Sequence, residues 1–90
     1  MQNSSIKSVM TIQEYGSIRV NLKAVLEKKG ITRNKLAQVT NTRFEVVDKW
    51  YSERIERIDV DILARFCFAL DCNVNDLLVY VPVTDVKRSK

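Results

Sequence analysis

Histidine is absent from this 90-residue chain, and cysteine occurs only at Cys67 and Cys72. Two cysteines without histidine complete neither a zinc site nor a disulfide framework, so we expect no metal and two reduced cysteines in the core. The chain has two glycines, no glycine-rich loop and no nucleophile beside a base, so the usual catalytic arrangements cannot be assembled. We therefore predict that the protein is not an enzyme and uses no cofactor.

Long apolar runs are also missing from the chain. No stretch approaches the roughly 20 residues needed to span a bilayer, and the opening residues lack the apolar stretch of a signal peptide. These absences predict a soluble, cytoplasmic protein with no membrane partner. The 15 basic residues outnumber the 11 acidic ones, which gives a net charge of +4 and a pI near 9.3. That balance favours anionic partners, although charge alone is weak evidence.

A chain of 90 residues accommodates one small domain. Residues 1–17 mix polar and apolar side chains and end at Gly16-Ser17. This N-terminal arm is compatible with disorder, with a strand or with a non-native remnant. Ordered patterns occupy residues 18–82, and we expect a loose, polar and basic tail over residues 83–90.

Capping signals divide the ordered region into five short helices. Asn21 and Thr32 suit the N-caps of the first two helices, and Gly30 supplies a left-handed stop between them. Asp59 suits the N-cap of the fourth helix, and Asn73 opens the fifth through a capping box. Apolar residues at helical spacing are expected in the core or an interface. They are Leu22, Val25, Leu26, Leu36, Ala37, Val39, Val46, Val47, Trp50, Leu63, Phe66, Cys67, Phe68 and Leu70.

The segment Thr40-Asn41-Thr42 separates the second and third helical patterns and is too short for a flexible linker. Asn41 tolerates the left-handed conformation better than most residues. Thr42 and Glu45 have the spacing of a capping box that starts the third helix at Arg43. Two helices joined by such a short elbow meet at a steep angle. The third helix, which follows the elbow, then stands out from the body of the protein and fits the major groove of DNA.

The ends of the ordered region have strand character. Val79, Tyr80 and Val81 favour an extended chain, and Pro82 stops any helix after them. The pattern allows a two-stranded ribbon between residues 18–20 and 79–81. The predicted fold class is therefore all-α, a bundle of five helices whose only strands lie at its ends.

Two segments of the chain, GITRNKLAQVTNTRFEVVDKW and DVDILARFCFALDCNVNDLL, resemble the lambda-repressor-like, Xre-type helix-turn-helix DNA-binding family. The resemblance covers about residues 21–82 and rests on Ile31, the Leu36-Ala37 pair, Val47 and Trp50. It implies a lambda-repressor-like bundle with no separate effector domain and no evident small-molecule effector. The second and third helices of the chain are the first and second helices of this motif. The resemblance also implies that these two motif helices cross at Ala37, where only a small side chain fits.

The sequence departs from the family pattern at the elbow and on the second motif helix. Asn41 replaces the usual elbow glycine. Glu45 and Asp48 occupy a face that usually carries uncharged polar residues or arginine, and phosphates repel them. Glu45 is better explained as the capping acid, or as a helix partner of Lys49. For Asp48, accepting from a cytosine amino group and repelling wrong sequences both stay open.

The resemblance implies DNA contacts from the second motif helix and its surroundings. Arg43 is expected to meet a guanine edge or a phosphate, whereas Phe44 either touches a thymine methyl group or packs beneath the surface of the first helix. Thr32 and Arg33 open the first motif helix, where the family clamps the DNA backbone. The predicted DNA-binding residues are Thr32, Arg33, Thr42, Arg43, Phe44, Asp48, Lys49, Arg54 and Arg57.

The function implied by the resemblance is sequence-specific binding of double-stranded DNA by a transcriptional regulator, with repression by promoter occlusion as the expected mode. One such helix contacts few base pairs, so we expect a homodimer on a pseudo-palindromic site. Its expected interface is the fifth helix with the LLVYVP strand, or the N-terminal arm. The acidic and aromatic residues of the second motif helix support an alternative, a protein-interaction module (antitoxin-like or adaptor) on the same fold without DNA binding.

Overall fold

The computed structural model describes residues 6, 8 and 9 and the continuous stretch 14–83. Within these residues, five helices lie between two short strands. The elements are β1 Ser17–Val20, α1 Leu22–Lys29, α2 Arg33–Thr40, α3 Phe44–Tyr51, α4 Val60–Leu70, α5 Val74–Leu77 and β2 Leu78–Val81. The predicted five-helix bundle with terminal strands is therefore confirmed. None of the helices in the described part of the chain is long and apolar enough to cross a membrane.

The helices pack around one apolar core. Trp50 of α3 and Phe66 of α4 meet edge to face at its centre, with ring centroids 5.1 Å apart and planes at 81°. Cys67 and Cys72 are half-buried free thiols against this core, and burial raises the pKa of Cys72. The buried apolar residues are Val20, Leu22, Leu26, Leu36, Ala37, Val47, Trp50, Phe66, Leu70 and Leu77.

The inward position predicted for Val39 is wrong, and Phe68, which was predicted to lie in the core or an interface, does not lie in the core. Val39 is 53% exposed, and Phe68 is 90% exposed. Thr40 takes the inward position instead of Val39, because residues 36, 37 and 40 share one face of α2. Its hydroxyl donates to the carbonyl oxygen of Leu36 at 2.6 Å, so the buried polar group is satisfied. Phe68 lies two positions after Phe66, which turns its side chain away from the core.

Most of the predicted helix caps are confirmed. Thr32 Oγ1 accepts the backbone N–H of Lys35 at 3.0 Å. Asp59 Oδ1 accepts two N–H groups from the first turn of α4. Asn73 and Asp76 form the predicted capping box at α5, in which the Asn73 N–H donates to Asp76 Oδ2 at 2.8 Å. Local side-chain spacing therefore determines where these three helices begin.

Asn21 occupies the predicted N-cap position of α1, but its side chain makes no capping hydrogen bond. Its backbone has another role. The Asn21 N–H donates to the carbonyl oxygen of Leu77 at 2.8 Å, and the Asn21 carbonyl accepts the N–H of Val25 at 3.1 Å. Asn21 thus joins the start of α1 to the end of α5.

Left-handed residues follow each of the four longer helices. They are Gly30, Asn41, Glu53 and Asp71, with φ between 52° and 68°. Gly30 and Asn41 confirm the predicted stops of α1 and α2. Because glycine occupies only one of these positions, the other three carry a side chain in a strained backbone conformation.

The strands β1 and β2 pair antiparallel, with Ser17 opposite Val81 and Val20 opposite Leu78. This confirms the predicted ribbon and extends each strand by one residue. Most of the arm 1–17 and of the tail 83–90 lies outside the described residues, so the expectations for these segments and for the domain limits stay predictions.

Candidate nucleic-acid interface

The elbow between α2 and α3 fixes how α3 stands on the protein. Asn41 is left-handed (φ 52°, ψ 49°), and the Thr42 N–H donates to the carbonyl oxygen of Ala37 at 2.9 Å. Arg65 of α4 donates from Nη1 to the carbonyl oxygens of Thr40 at 3.2 Å and Asn41 at 3.0 Å. These bonds satisfy carbonyl groups at the end of α2 and attach the elbow to α4.

The predicted capping box of Thr42 and Glu45 is wrong. Thr42 Oγ1 donates to the carbonyl oxygen of Thr40 at 3.1 Å. Helix α3 begins at Phe44, one residue after the predicted start at Arg43, and Arg43 at the N-cap makes no side-chain capping bond. The short elbow brings the last carbonyl groups of α2, which have no partner within the helix, beside Thr42. Its hydroxyl therefore donates to one of them instead of accepting an N–H of α3.

Helix α3 has one face in the core and one face in solvent. Val47 and Trp50 are buried, as the spacing predicts. On the other face, Phe44 is 40% exposed, and Glu45 and Lys49 are exposed. In the part of the chain that the structure describes, Glu45 and Lys49 form no ion pair with each other. The exposed face of α3 is therefore available to a partner.

Arg33 at the start of α2 is held by three side chains of α3. Its Nη1 donates to Asp48 Oδ1 at 2.6 Å. Its Cζ lies 4.6 Å from the ring centroid of Tyr51 and 5.7 Å from that of Phe44. Both rings are close enough for cation–π attraction, and the Lys23 ammonium lies 5.9 Å from the Tyr51 centroid. Phe44 therefore combines an exposed surface with a packing role.

Asp48 bridges two arginines that come from different segments. While Oδ1 accepts from Arg33, Oδ2 accepts from Nη2 of Arg54 at 2.9 Å. Arg54 belongs to the loop after α3, so one carboxylate joins the start of α2, the middle of α3 and that loop. Each carboxylate oxygen of Asp48 therefore has an arginine partner, and neither partner was predicted from the sequence.

The remaining predicted contact residues lie at both ends of α3. Arg43 and Thr42 line a shallow depression at the elbow. Lys49, Arg54 and Arg57 line another depression beyond the end of α3. Thr42 is half-buried, and its hydroxyl is bonded within the elbow. The exposed basic side chains of this region are Arg33, Arg43, Lys49, Arg54 and Arg57.

Three residues that support this surface were not predicted from the sequence. Tyr51 packs against Arg33, and Arg65 caps the elbow. Glu53 binds Arg19 of β1 through both carboxylate oxygens at 2.8 Å, which fixes the loop that carries Arg54. The Arg19 hydrogen bonds, aided by the Val20 N–H, lower the pKa of Glu53 from 4.5 to about 2. Pairs so far apart in sequence produce no local pattern.

Within the described residues, no group of three or more His, Cys, Asp or Glu side chains is placed to hold a metal ion. The interface is made of an exposed helix face, cationic side chains and two aromatic rings. Such a surface suits a large anionic partner better than a small ligand, because its depressions are shallow.

Comparison with known proteins identifies relatives of this architecture. The family model for Cro/C1-type helix-turn-helix DNA-binding domains matches residues 21–83. A crystal structure of a "putative DNA-binding protein" from Bacteroides fragilis is similar at 21% identity and a TM-score of 0.63, covering 70% of this chain and all of that one. The transcriptional regulator VanUg is similar at 16% identity and a TM-score of 0.62, covering 91% of this chain and 99% of that one. No curated protein matches the chain.

Proposed function

Because the chain belongs to the family of Cro/C1-type helix-turn-helix DNA-binding domains, we propose that it binds a specific double-stranded DNA sequence and regulates transcription. The observation that supports this most is the solvent-exposed face of α3, which follows a short elbow and has exposed basic side chains at both ends. The proposed mode is repression in the cytoplasm, in which the bound protein occludes a promoter. This role involves no catalytic step.

In this proposal, the exposed side chains divide into base readers and backbone contacts. Arg43, at the N-cap of α3, enters the major groove first, where its donors suit guanine. Phe44 presents its exposed ring edge to a thymine methyl group. Arg33 and Thr32 sit at the N-terminal end of α2, whose N–H groups and positive dipole favour a phosphate. Lys49 and the two loop arginines contact the backbone beyond α3.

The active form is proposed to be a homodimer. One copy of α3 reads only a few base pairs, so two copies about one helical turn apart are needed for selectivity. The exposed apolar side chains of the ribbon and α5 support an interface there. They are Ile18 (55% exposed), Tyr80 (57%), Val79 (38%) and Val74 (51%).

A second candidate function is a protein-interaction module on the same fold. Its support is an apolar strip on α4, where Val60 is 76% exposed and Phe68 is 90% exposed. Both residues lie on the same side of the helix, since they are two turns apart. A protein partner on this strip would not require the basic surface around α3.

Selection of bound fragments from random duplex DNA tests the proposed function directly. We expect enrichment of a pseudo-palindromic sequence, and an affinity for it that falls steeply with salt because phosphate contacts release counterions. Arg43→Ala should lose discrimination at one base position in each half of the selected sequence. Lys29→Ala is the matched control. Lys29 lies near Cys72 at the turn between α4 and α5, outside the candidate interface, so this variant should select the same sequence as the parent. An empty selection, with no binding of the parent protein to any duplex, would contradict the proposal and favour the protein-interaction module.

A further inference from the structure

We infer that Asp48 is a specificity-determining residue, which lowers binding to non-cognate DNA by pairing with Arg33 and Arg54. The inference rests on the proposed DNA-binding function. It starts from the observation that one carboxylate in the middle of α3 is shared by two cationic groups of the candidate interface.

Asp48 links the two arginines of the candidate interface, Arg33 and Arg54. Its oxygens lie 2.6 Å from Nη1 of Arg33 and 2.9 Å from Nη2 of Arg54. The Asp48 side chain is 26% exposed, whereas those of Arg33 and Arg54 are 42% and 54% exposed. The two guanidinium groups therefore partly cover the carboxylate and cancel its charge, and it cancels part of theirs.

The ion pairs of Asp48 can be removed without unfolding the protein, because aromatic side chains also hold Arg33. The Tyr51 and Phe44 rings contact the guanidinium independently of Asp48. None of the three charged side chains is buried in the core, so neutralising Asp48 leaves no buried unpaired charge. We therefore expect Asp48→Asn to fold as the parent does, while Arg54 gains freedom and Arg33, which still contacts the two rings, gains less.

The pairing acts differently on cognate and non-cognate DNA. Non-cognate duplex binds through phosphate attraction alone, and freely moving arginines adapt to whichever phosphates lie near. Asp48 holds both arginines in one arrangement and offsets their charge, which weakens this adaptable binding. A cognate site seats α3 in a single orientation, in which fixed arginines lose less entropy on contact. Asp48 therefore penalises wrong sequences more than the right one.

The experiment compares Asp48→Asn with Glu45→Gln on the selected site and on random duplex. Glu45 is the matched control, because it lies on the same helix and has no ion pair in the described part of the chain. Asp48→Asn should raise the affinity for random duplex by up to about eightfold per freed arginine near 0.1 M salt, from a salt slope of about 0.9 per contact. The selected site should gain less, so selectivity falls. Glu45→Gln should change both duplexes by equal factors.

Two further measurements test whether Asp48 acts through the arginines. In a variant that already carries Arg33→Ala and Arg54→Ala, adding Asp48→Asn should no longer lower selectivity. In the free protein, nuclear magnetic resonance relaxation of the Arg33 and Arg54 Nε–Hε groups should show greater motion after Asp48→Asn and no change after Glu45→Gln. A melting curve of each variant checks that it remains folded.

The outcomes separate this inference from the proposed function. If the parent selects no sequence, the proposed function and the Asp48 inference fail together. If the parent selects a sequence but Asp48→Asn leaves its selectivity unchanged, only the Asp48 inference fails. Loss of discrimination at one base position, with unchanged affinity for random duplex, would make Asp48 a base reader and would also overturn it.

Discussion

Arg19 and Glu53 lie 34 positions apart, yet two hydrogen bonds of 2.8 Å join their side chains. Glu53 also accepts the backbone N–H of Val20 at 3.1 Å, so its carboxylate fixes the end of β1. Glu53 is itself the left-handed residue that follows α3. This one side chain therefore couples the terminal ribbon to the loop that carries Arg54 into the candidate interface.

The Arg19–Glu53 pair predicts a loss of stability in acid. The pKa of Glu53 is about 2 in the folded protein against an ordinary 4.5, so its contribution is present above about pH 4.5 and is lost as the pH falls toward 2. Because the Arg19 and Glu53 side chains are 58% and 34% exposed, solvent screens the pair and we expect the loss of stability to be small. Urea unfolding near pH 6 and near pH 3 should show a smaller acid loss for Glu53→Gln than for the parent. Glu56→Gln, an exposed control, should lose as much as the parent.

Asn41→Gly is expected to stabilise the protein. Asn41 is left-handed at φ 52°, a conformation that costs glycine nothing. The bond from Arg65 goes to the Asn41 carbonyl group, so the substitution retains it. We expect a gain of up to about 1 kcal/mol in the free energy of unfolding, measured by urea titration, because relief of the left-handed strain exceeds the added entropy of glycine in the unfolded chain. Gln38→Gly, within the right-handed part of α2, should instead destabilise, and a loss of stability in both variants would refute the assignment.

Ala37→Leu is expected to destabilise the helix pair. Ala37 is 8% exposed in the core, and its carbonyl accepts the elbow N–H of Thr42. The added side chain should overpack this site at a cost of about 1 to 3 kcal/mol, visible in a thermal melt. Gln38→Leu adds a leucine at the neighbouring exposed position and should melt close to the parent. An unchanged melt for Ala37→Leu would show that the helices do not meet closely there.

Arg43 and Arg33 should make different contributions to DNA binding. If Arg43 reads a base edge, Arg43→Ala should cost about 1 to 3 kcal/mol on the selected site and remove discrimination at one base position in each half-site. If Arg33 contacts a phosphate, Arg33→Ala should weaken all duplexes about equally and lower the salt slope by about one unit per site. Binding curves at several salt concentrations distinguish the two. Parent-like selectivity and slope in both variants would show that the interface lies elsewhere.

Local signals made most of the fold predictable from the sequence. The residues Thr32, Asp59 and Asn73 carry cap-forming side chains, and each caps its helix in the structure. Asn41 ends α2 in the conformation that its side chain tolerates. The capping box at Thr42 failed although its spacing was right, because a neighbouring helix end offered the hydroxyl a nearer partner. Capping therefore follows from spacing only where no tertiary contact competes.

The candidate site was less predictable, because its contacts join segments that are distant in sequence. Sequence reasoning placed Arg33 and Asp48 in the interface but gave no reason to pair them. Asp48 lies 15 positions after Arg33, and only the elbow brings α2 and α3 close enough for a bond. The sequence also did not decide whether Phe44 packs or stays exposed, because its packing partner, the Arg33 side chain, belongs to another helix. Which of these residues touch DNA stays a prediction.

The terminal ribbon makes the two ends of the domain immediate neighbours. Ser17 pairs with Val81, and Val20 pairs with Leu78, so the segment 17–81 nearly closes into a ring. A short linker between the two strands should allow a circular permutant whose new ends lie in the exposed loop of residues 56–59. In such a permutant the ribbon becomes a local hairpin, and the entropy cost of closing its loop falls, because only the short linker separates the strands instead of residues 21–77. The permutation would then favour early formation of the ribbon relative to the helices during folding, while every native contact stays the same.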